Sequence, residues 1–146
     1  MKRVLVVSAG NACRSQMAEG YLQFYGEGKA QYFSAVLAQG DVHPLAIKVM
    51  TEDSIEMTWQ VAQPLESFKN AHFDYVIDLH DGQPNDFSEL FTSNHIYPLH
   101  IPNPSALSEV QPPPIEAFRQ VRELIRAHIL KFIGKELTGK EEVALP

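Results

Sequence analysis

The chain has a single cysteine, Cys13, in 146 residues. One thiol excludes an internal disulfide and fits a reducing compartment, so the fold has to rest on its apolar core. At this length a single domain buries enough surface to do so. Basic residues are also scarce. Twelve Lys and Arg stand against 18 Asp and Glu, a net charge of −6. A surface that binds a nucleic-acid backbone needs a basic stripe, so no nucleic-acid partner is expected. No apolar run approaches the length of a membrane span, and the run after Met1-Lys-Arg3 is too short for a signal peptide. Neither a membrane nor export is expected, and the cytoplasm is the expected location. The six histidines (43, 72, 80, 95, 100 and 128) show no metal-ligand spacing with Cys, Asp or Glu. No metal and no cofactor are expected. There is no internal repeat.

What is present is concentrated near the N-terminus, in Val4-Leu-Val-Val-Ser8-Ala-Gly-Asn-Ala-Cys13-Arg14-Ser15-Gln-Met-Ala-Glu-Gly20. Val4 to Val7 reads as a strand buried on both faces. Gly10 and Asn11 tolerate the positive φ of a sharply curled loop. From Arg14 onward, Met17, Ala18, Tyr21, Leu22 and Tyr25 recur at helical spacing. A strand that curls into a helix start turns successive N–H groups into one concavity, and the helix dipole adds positive character there. Arg14 contributes a planar, permanently charged fork suited to a tetrahedral oxyanion. The expected anion site is therefore Ala9, Gly10, Asn11, Ala12, Cys13, Arg14 and Ser15.

Further along, Gly26-Glu-Gly28 is a helix stop, and Gln31 to Ala38 reads as a second strand. Pro44 opens a helix with Leu45, Val49 and Met50 on its apolar face. Pro64 to Phe68 reads as a short helix and Phe73 to Leu79 as a strong strand. Asp81 to Asp86 is a turn-rich loop, and Ile96 to Ile101 is a strand that Pro98 confines to an edge or a strand start. Pro102-Asn103-Pro104 is a rigid loop. The clearest helix follows Pro112-Pro-Pro, with Ile115, Phe118, Val121, Ile125, Ile129 and Phe132 in phase and Gly134 expected to end it. Strands and helices alternate without hairpins. That pattern implies an α/β fold in which a parallel sheet lies between helices, with ligands beyond the strand C-termini. The domain is expected to span residues 1–134, followed by a polar tail at 135–146. Trp59 is expected in the core or as a cleft wall.

The N-terminal segment resembles the phosphate loop of the low-molecular-weight protein tyrosine phosphatases and the related thioredoxin-coupled arsenate reductases, a pattern written VCxGNxCRSPMAEG. Gly10, Asn11, Cys13, Arg14, Ser15, Met17, Ala18, Glu19 and Gly20 fall in place. The resemblance implies a single-domain three-layer αβα fold with a four-stranded parallel sheet, phosphotyrosine protein phosphatase I-like. It also implies roles for three positions, and two of these are substituted. The nucleophilic cysteine falls on Ser8, and the general-acid Asp-Pro falls on Asn103-Pro104, while the arginine is retained as Arg14.

A serine hydroxyl stays protonated near neutral pH and is a weak nucleophile without an adjacent base, which the sequence does not offer. An amide cannot protonate a leaving group, and loss of a general acid removes roughly 10²–10⁴-fold in rate. The cysteine pair that the reductases carry after the third strand is missing from Ile77 to Phe87, and Cys13 matches their second loop cysteine rather than the nucleophile. Ser105-Ala-Leu107 stands where phosphotyrosine binders carry aromatic residues. The expected function is therefore binding of phosphate, sulfate, arsenate or a phosphorylated ligand without turnover, a pseudophosphatase. The alternatives are an active tyrosine phosphatase or arsenate reductase, and a partner-binding module with an unused pocket. The sequence names no protein partner.

Overall fold

The computed structural model describes residues 1–8, 13–37, 42–57, 63–80 and 83–138. Five strands and three α-helices are built from them: β1 (Lys2–Ser8), α1 (Cys13–Tyr25), β2 (Ala30–Val36), α2 (Pro44–Glu52), β3 (Gln63–Pro64), β4 (His72–His80), β5 (Thr92–His100) and α3 (Ile115–Phe132). Short 3-10 turns cover Leu65–Phe68 and Pro104–Leu107, and a π-helical turn, Ile133–Leu137, extends α3. The loop residues Ala9 to Ala12, the side chain of Cys13, Trp59, Asp81-Gly82 and the tail from 139 onward lie outside the described residues.

The sheet order is β3-β2-β1-β4-β5, and every neighbouring pair is parallel. β1 is central because its run permits nothing else. Val4 and Val6 point into the cluster formed with α1, α2 and α3, and Leu5 and Val7 point into the opposite one; all four are fully buried. On the first face, Met17, Ala18, Tyr21 and Leu22 of α1 meet Val49 and Met50 of α2 and Phe118, Val121, Ile125 and Ile129 of α3. On the second, Leu65, Phe68, Phe87 and Phe91 close over the sheet, with Phe73 edge-on to Phe68 and Phe91. Each fully buried aliphatic side chain of this kind contributes about 1.5–3 kcal/mol.

The architecture is the three-layer α/β arrangement expected, with three departures. The sheet has five strands rather than four, because Gln63 and Pro64 pair with Ala35 and Val36. Two exposed residues leave no periodicity from which a strand is read. β5 begins at Thr92 rather than Ile96, and it is the edge strand that Pro98 demands. Gly134 does not end the last helix. A side chain there would meet nothing within 4 Å, and buried Ile133 and core-packed Leu137 carry the coil onward through the π turn.

Helix ends follow their local chemistry. Pro44 occupies the first turn of α2, and His43 caps it by accepting a hydrogen bond at Nδ1 from the Leu45 N–H at 3.0 Å. After α1, the Tyr32 hydroxyl donates to the Gly26 carbonyl at 2.6 Å. A Cβ on Gly26 would sit 2.2 Å from that hydroxyl, so the close approach requires glycine. None of the described helices is long and apolar enough to cross a membrane.

Candidate functional site

Ser8 is the last residue of β1, between Val36 of β2 and Leu79 of β4 in the register. It is buried. Its carbonyl accepts from the Leu37 N–H at 3.1 Å, and its hydroxyl oxygen accepts from the Ser15 N–H at 3.3 Å. The side chain at position 8 thus meets the N-terminal turn of α1, where the helix dipole favours negative charge. An alkoxide would be stabilised there, but the neutral hydroxyl already accepts a donor and no base contacts it among the described residues.

Arg14, the second residue of α1, is also buried. Its Nη1 donates to the carbonyl of Ile101 at 2.8 Å. Ile101 in turn donates its N–H to the His80 carbonyl at 3.1 Å. The guanidinium therefore ties the start of α1 to the chain just past β5, two residues before Asn103. Asn103 caps the turn Pro104–Leu107, where its Oδ1 accepts from the Ser105 N–H and the Ser105 hydroxyl, both at 3.1 Å. The Asn103 amide oxygen is thus committed to its own loop.

Beneath the start of α1 runs a polar chain that the sequence reading did not anticipate. Gln16 Nε2 donates to Ser34 Oγ at 3.2 Å, Ser34 Oγ donates to Glu19 Oε1 at 2.6 Å, and Gln23 Nε2 donates to Glu19 Oε2 at 3.4 Å. Burial raises the Glu19 carboxyl above its ordinary range, against the pull of the Ser34 and Gln23 hydrogen bonds. On the other side of β1, Asp78 is fully buried. Its carboxylate accepts from the Asn85 N–H and the Asn85 side-chain amide, both at 2.9 Å. That contact pins the loop after β4. The signal was visible, a lone carboxylate in the apolar run Tyr75 to Leu79.

His80 and His100 end β4 and β5 side by side, with ring centroids 5.6 Å apart, and among the described residues the buried His80 Nδ1 has no hydrogen-bond partner. Among the described residues no three His, Cys, Asp or Glu side chains gather as a metal would require. Ser8, Arg14, Ser15 and the Asn103 loop do converge on the C-terminal edge of the sheet.

The model of the low molecular weight phosphotyrosine protein phosphatase family matches residues 3–143. The chain belongs to this family. Within it, the chain is 34% identical to a glutaredoxin arsenate reductase of Synechocystis sp. over 135 residues, 92% of this chain and 98% of the relative. It is 29% identical to an arsenate reductase of Shouchella clausii, over 90% and 94% of the two chains. A solved arsenate reductase in its reduced state superposes with a TM-score of 0.78 at 33% identity, covering 92% of this chain and 98% of the other. The fold is shared as well with the YwlE arginine phosphatase of Geobacillus stearothermophilus, at TM-score 0.70 and 20% identity over 100% of this chain and 99% of that one. In this phosphatase-family chain the sole thiol is Cys13, the first residue of α1, and position 8 is serine.

Proposed function

We propose that the chain binds a tetrahedral oxyanion, arsenate or phosphate, in the loop that joins β1 to α1, and does so without the cysteine-nucleophile chemistry of a phosphatase. The observation that carries this reading is the buried Arg14, oriented by the Ile101 carbonyl beside the buried Ser8 at a helix N-terminus. A guanidinium fork matches the geometry of a tetrahedral oxyanion, and a helix N-terminus favours its charge. The proposed contacts come from the N–H groups of residues 9–15 and from Arg14. With serine at position 8 and an amide at 103, neither phosphorus attack nor leaving-group protonation has an agent.

Arsenate reduction is the second reading, and the relatives favour it directly. A glutaredoxin arsenate reductase is 34% identical over nearly its full length, and a solved arsenate reductase shares the fold at 33% identity. With one thiol the chemistry runs through Cys13 and external thiols. The Cys13 thiolate attacks As(V) and displaces water, forming an S–As bond. An external thiolate then attacks the Cys13 sulfur, and the S–As electron pair leaves with arsenic as arsenite. The resulting mixed disulfide is reduced by thiol–disulfide exchange.

One experiment separates the readings. Arsenite formation is measured with arsenate, glutathione and glutaredoxin, for the native chain and Cys13→Ala, alongside calorimetric titration with arsenate. Binding heat without arsenite supports the binder. Arsenite that disappears in Cys13→Ala supports the reductase. Absence of both leaves a partner-binding module with an unused pocket.

A further inference from the structure

Helix α3 treats its cations in two ways. Arg119 and Arg122 reach Glu52 of α2 at 2.7 and 2.6 Å, and Arg126 lies over the Tyr25 ring at 5.8 Å. Beyond them, His128, Lys131 and Lys135 stand three and four residues apart, so they share one side of the coil. None of the three makes an ion pair or hydrogen bond among the described residues. They rim a cavity of about 290 Å³ whose floor and walls are Ile77, Tyr97, Leu99 and Phe132. The one carboxylate on its lining, Glu136, accepts a hydrogen bond from the Tyr97 hydroxyl and keeps its charge. In a chain of net charge −6, this lining carries two lysines against that one carboxylate. It shares no lining residue with the site around Ser8 and Arg14.

We infer that this cavity binds a small aromatic carboxylate. The volume lies at the lower end of ligand pockets, which suits one or two rings. Tyr97 and Phe132 meet edge to face, with centroids 5.6 Å apart; Tyr75 packs on both from the core side of the sheet, and both line the cavity. Lys131 and Lys135 are exposed lining residues, so a carboxylate paired with them stays partly hydrated. A bare inorganic anion would leave the apolar floor uncovered, and an apolar molecule would leave the cations unused. The inference stands apart from the oxyanion reading, since either site can fail without the other.

The probe is 2-naphthoate, titrated into the full chain and followed by amide and methyl NMR. Shifts are expected at Ile77, Leu99 and His128 rather than at Ser8 or Arg14. The double substitution Lys131→Glu/Lys135→Glu, at two exposed positions, is expected to weaken binding about tenfold, as reversing two exposed pairs would. The neutral 2-naphthylmethanol is expected to bind several-fold more weakly than the acid. The inference is overturned if the shifts fall outside the cavity, if the alcohol binds as well as the acid, or if charge reversal in a variant with native circular dichroism leaves the affinity unchanged.

Discussion

Two polar regions of this molecule are built on opposite terms. Where α2 meets α3, Glu52, Arg119, Arg122 and Glu123 form a half-exposed ion cluster that water shares. At the start of α1, the polar groups are buried. Ser8, Arg14, Ser15, Gln16, Glu19 and Ser34 account for all but Asp78 of the buried polar residues among those described. An exposed cluster contributes little and is easily replaced. A buried one lowers stability unless each member is satisfied, and a chain retains it where it is needed for something other than stability. The contrast supports the site proposed at the start of α1, and the following substitutions probe its two sides.

The largest change expected is a gain of chemistry. Ser8→Cys with Asn103→Asp restores a nucleophile and an acid at the buried end of the comparison. Aryl phosphate hydrolysis is expected to rise by at least roughly 10²-fold over the native chain, which is itself expected to hydrolyse no faster than a denatured control. A doubly substituted chain that binds phosphate yet stays inert would contradict the roles assigned to positions 8 and 103.

Next is Asp78→Ala, which leaves the Asn85 N–H and amide without their acceptor. A loss of about 1–3 kcal/mol in denaturant unfolding is expected, with the loop after β4 losing hydrogen-exchange protection first.

Glu19→Gln tests the cost of burial inside the α1 cluster. The folded carboxyl titrates above its ordinary range, so ionisation opposes folding at neutral pH, and that penalty is relieved as pH falls toward the unfolded value near 4.5. Glu19→Gln is therefore expected to unfold at a higher temperature than the native chain at pH 7–8. The gap should close as pH falls toward 4.5. A gap that widens on acidification would reverse the sign of the argument.

The smallest effect belongs to the exposed cluster. Arg119 and Arg122 hold the Glu52 carboxyl down to about 2, so its contribution is complete above the unfolded value of 4.5 and is lost as pH falls through about 2. Because the group is solvent-exposed, Glu52→Gln is expected to lower the Tm only slightly at pH 7, and moderate salt should erase the difference.

Much of this was legible in the sequence, for identifiable reasons. β1 is an unbroken apolar run, α3 carries strong helical periodicity, and the phosphate-loop pattern leading into α1 is dense enough to name the family. The parts that were missed carry no such signal. β5 starts four residues earlier than its apolar run because an edge strand leaves Thr92, Asn94 and His95 exposed. The Arg14–Ile101 contact spans 87 residues and ends on a carbonyl, which every residue possesses. The Gln16–Ser34–Glu19 chain consists of ordinary polar residues that acquire meaning only when β2 is laid beside α1.

The central claim is that the buried cluster at α1 exists to hold an oxyanion, and calorimetric titration of arsenate and phosphate into the native chain, Arg14→Lys and Arg14→Ala tests it most directly. One saturable site is expected in the native chain. It should be weakened in Arg14→Lys, which keeps the charge and loses the fork, and lost in Arg14→Ala, with all three proteins folded by circular dichroism. No binding heat in the native chain, or equal affinity in all three, would contradict the account.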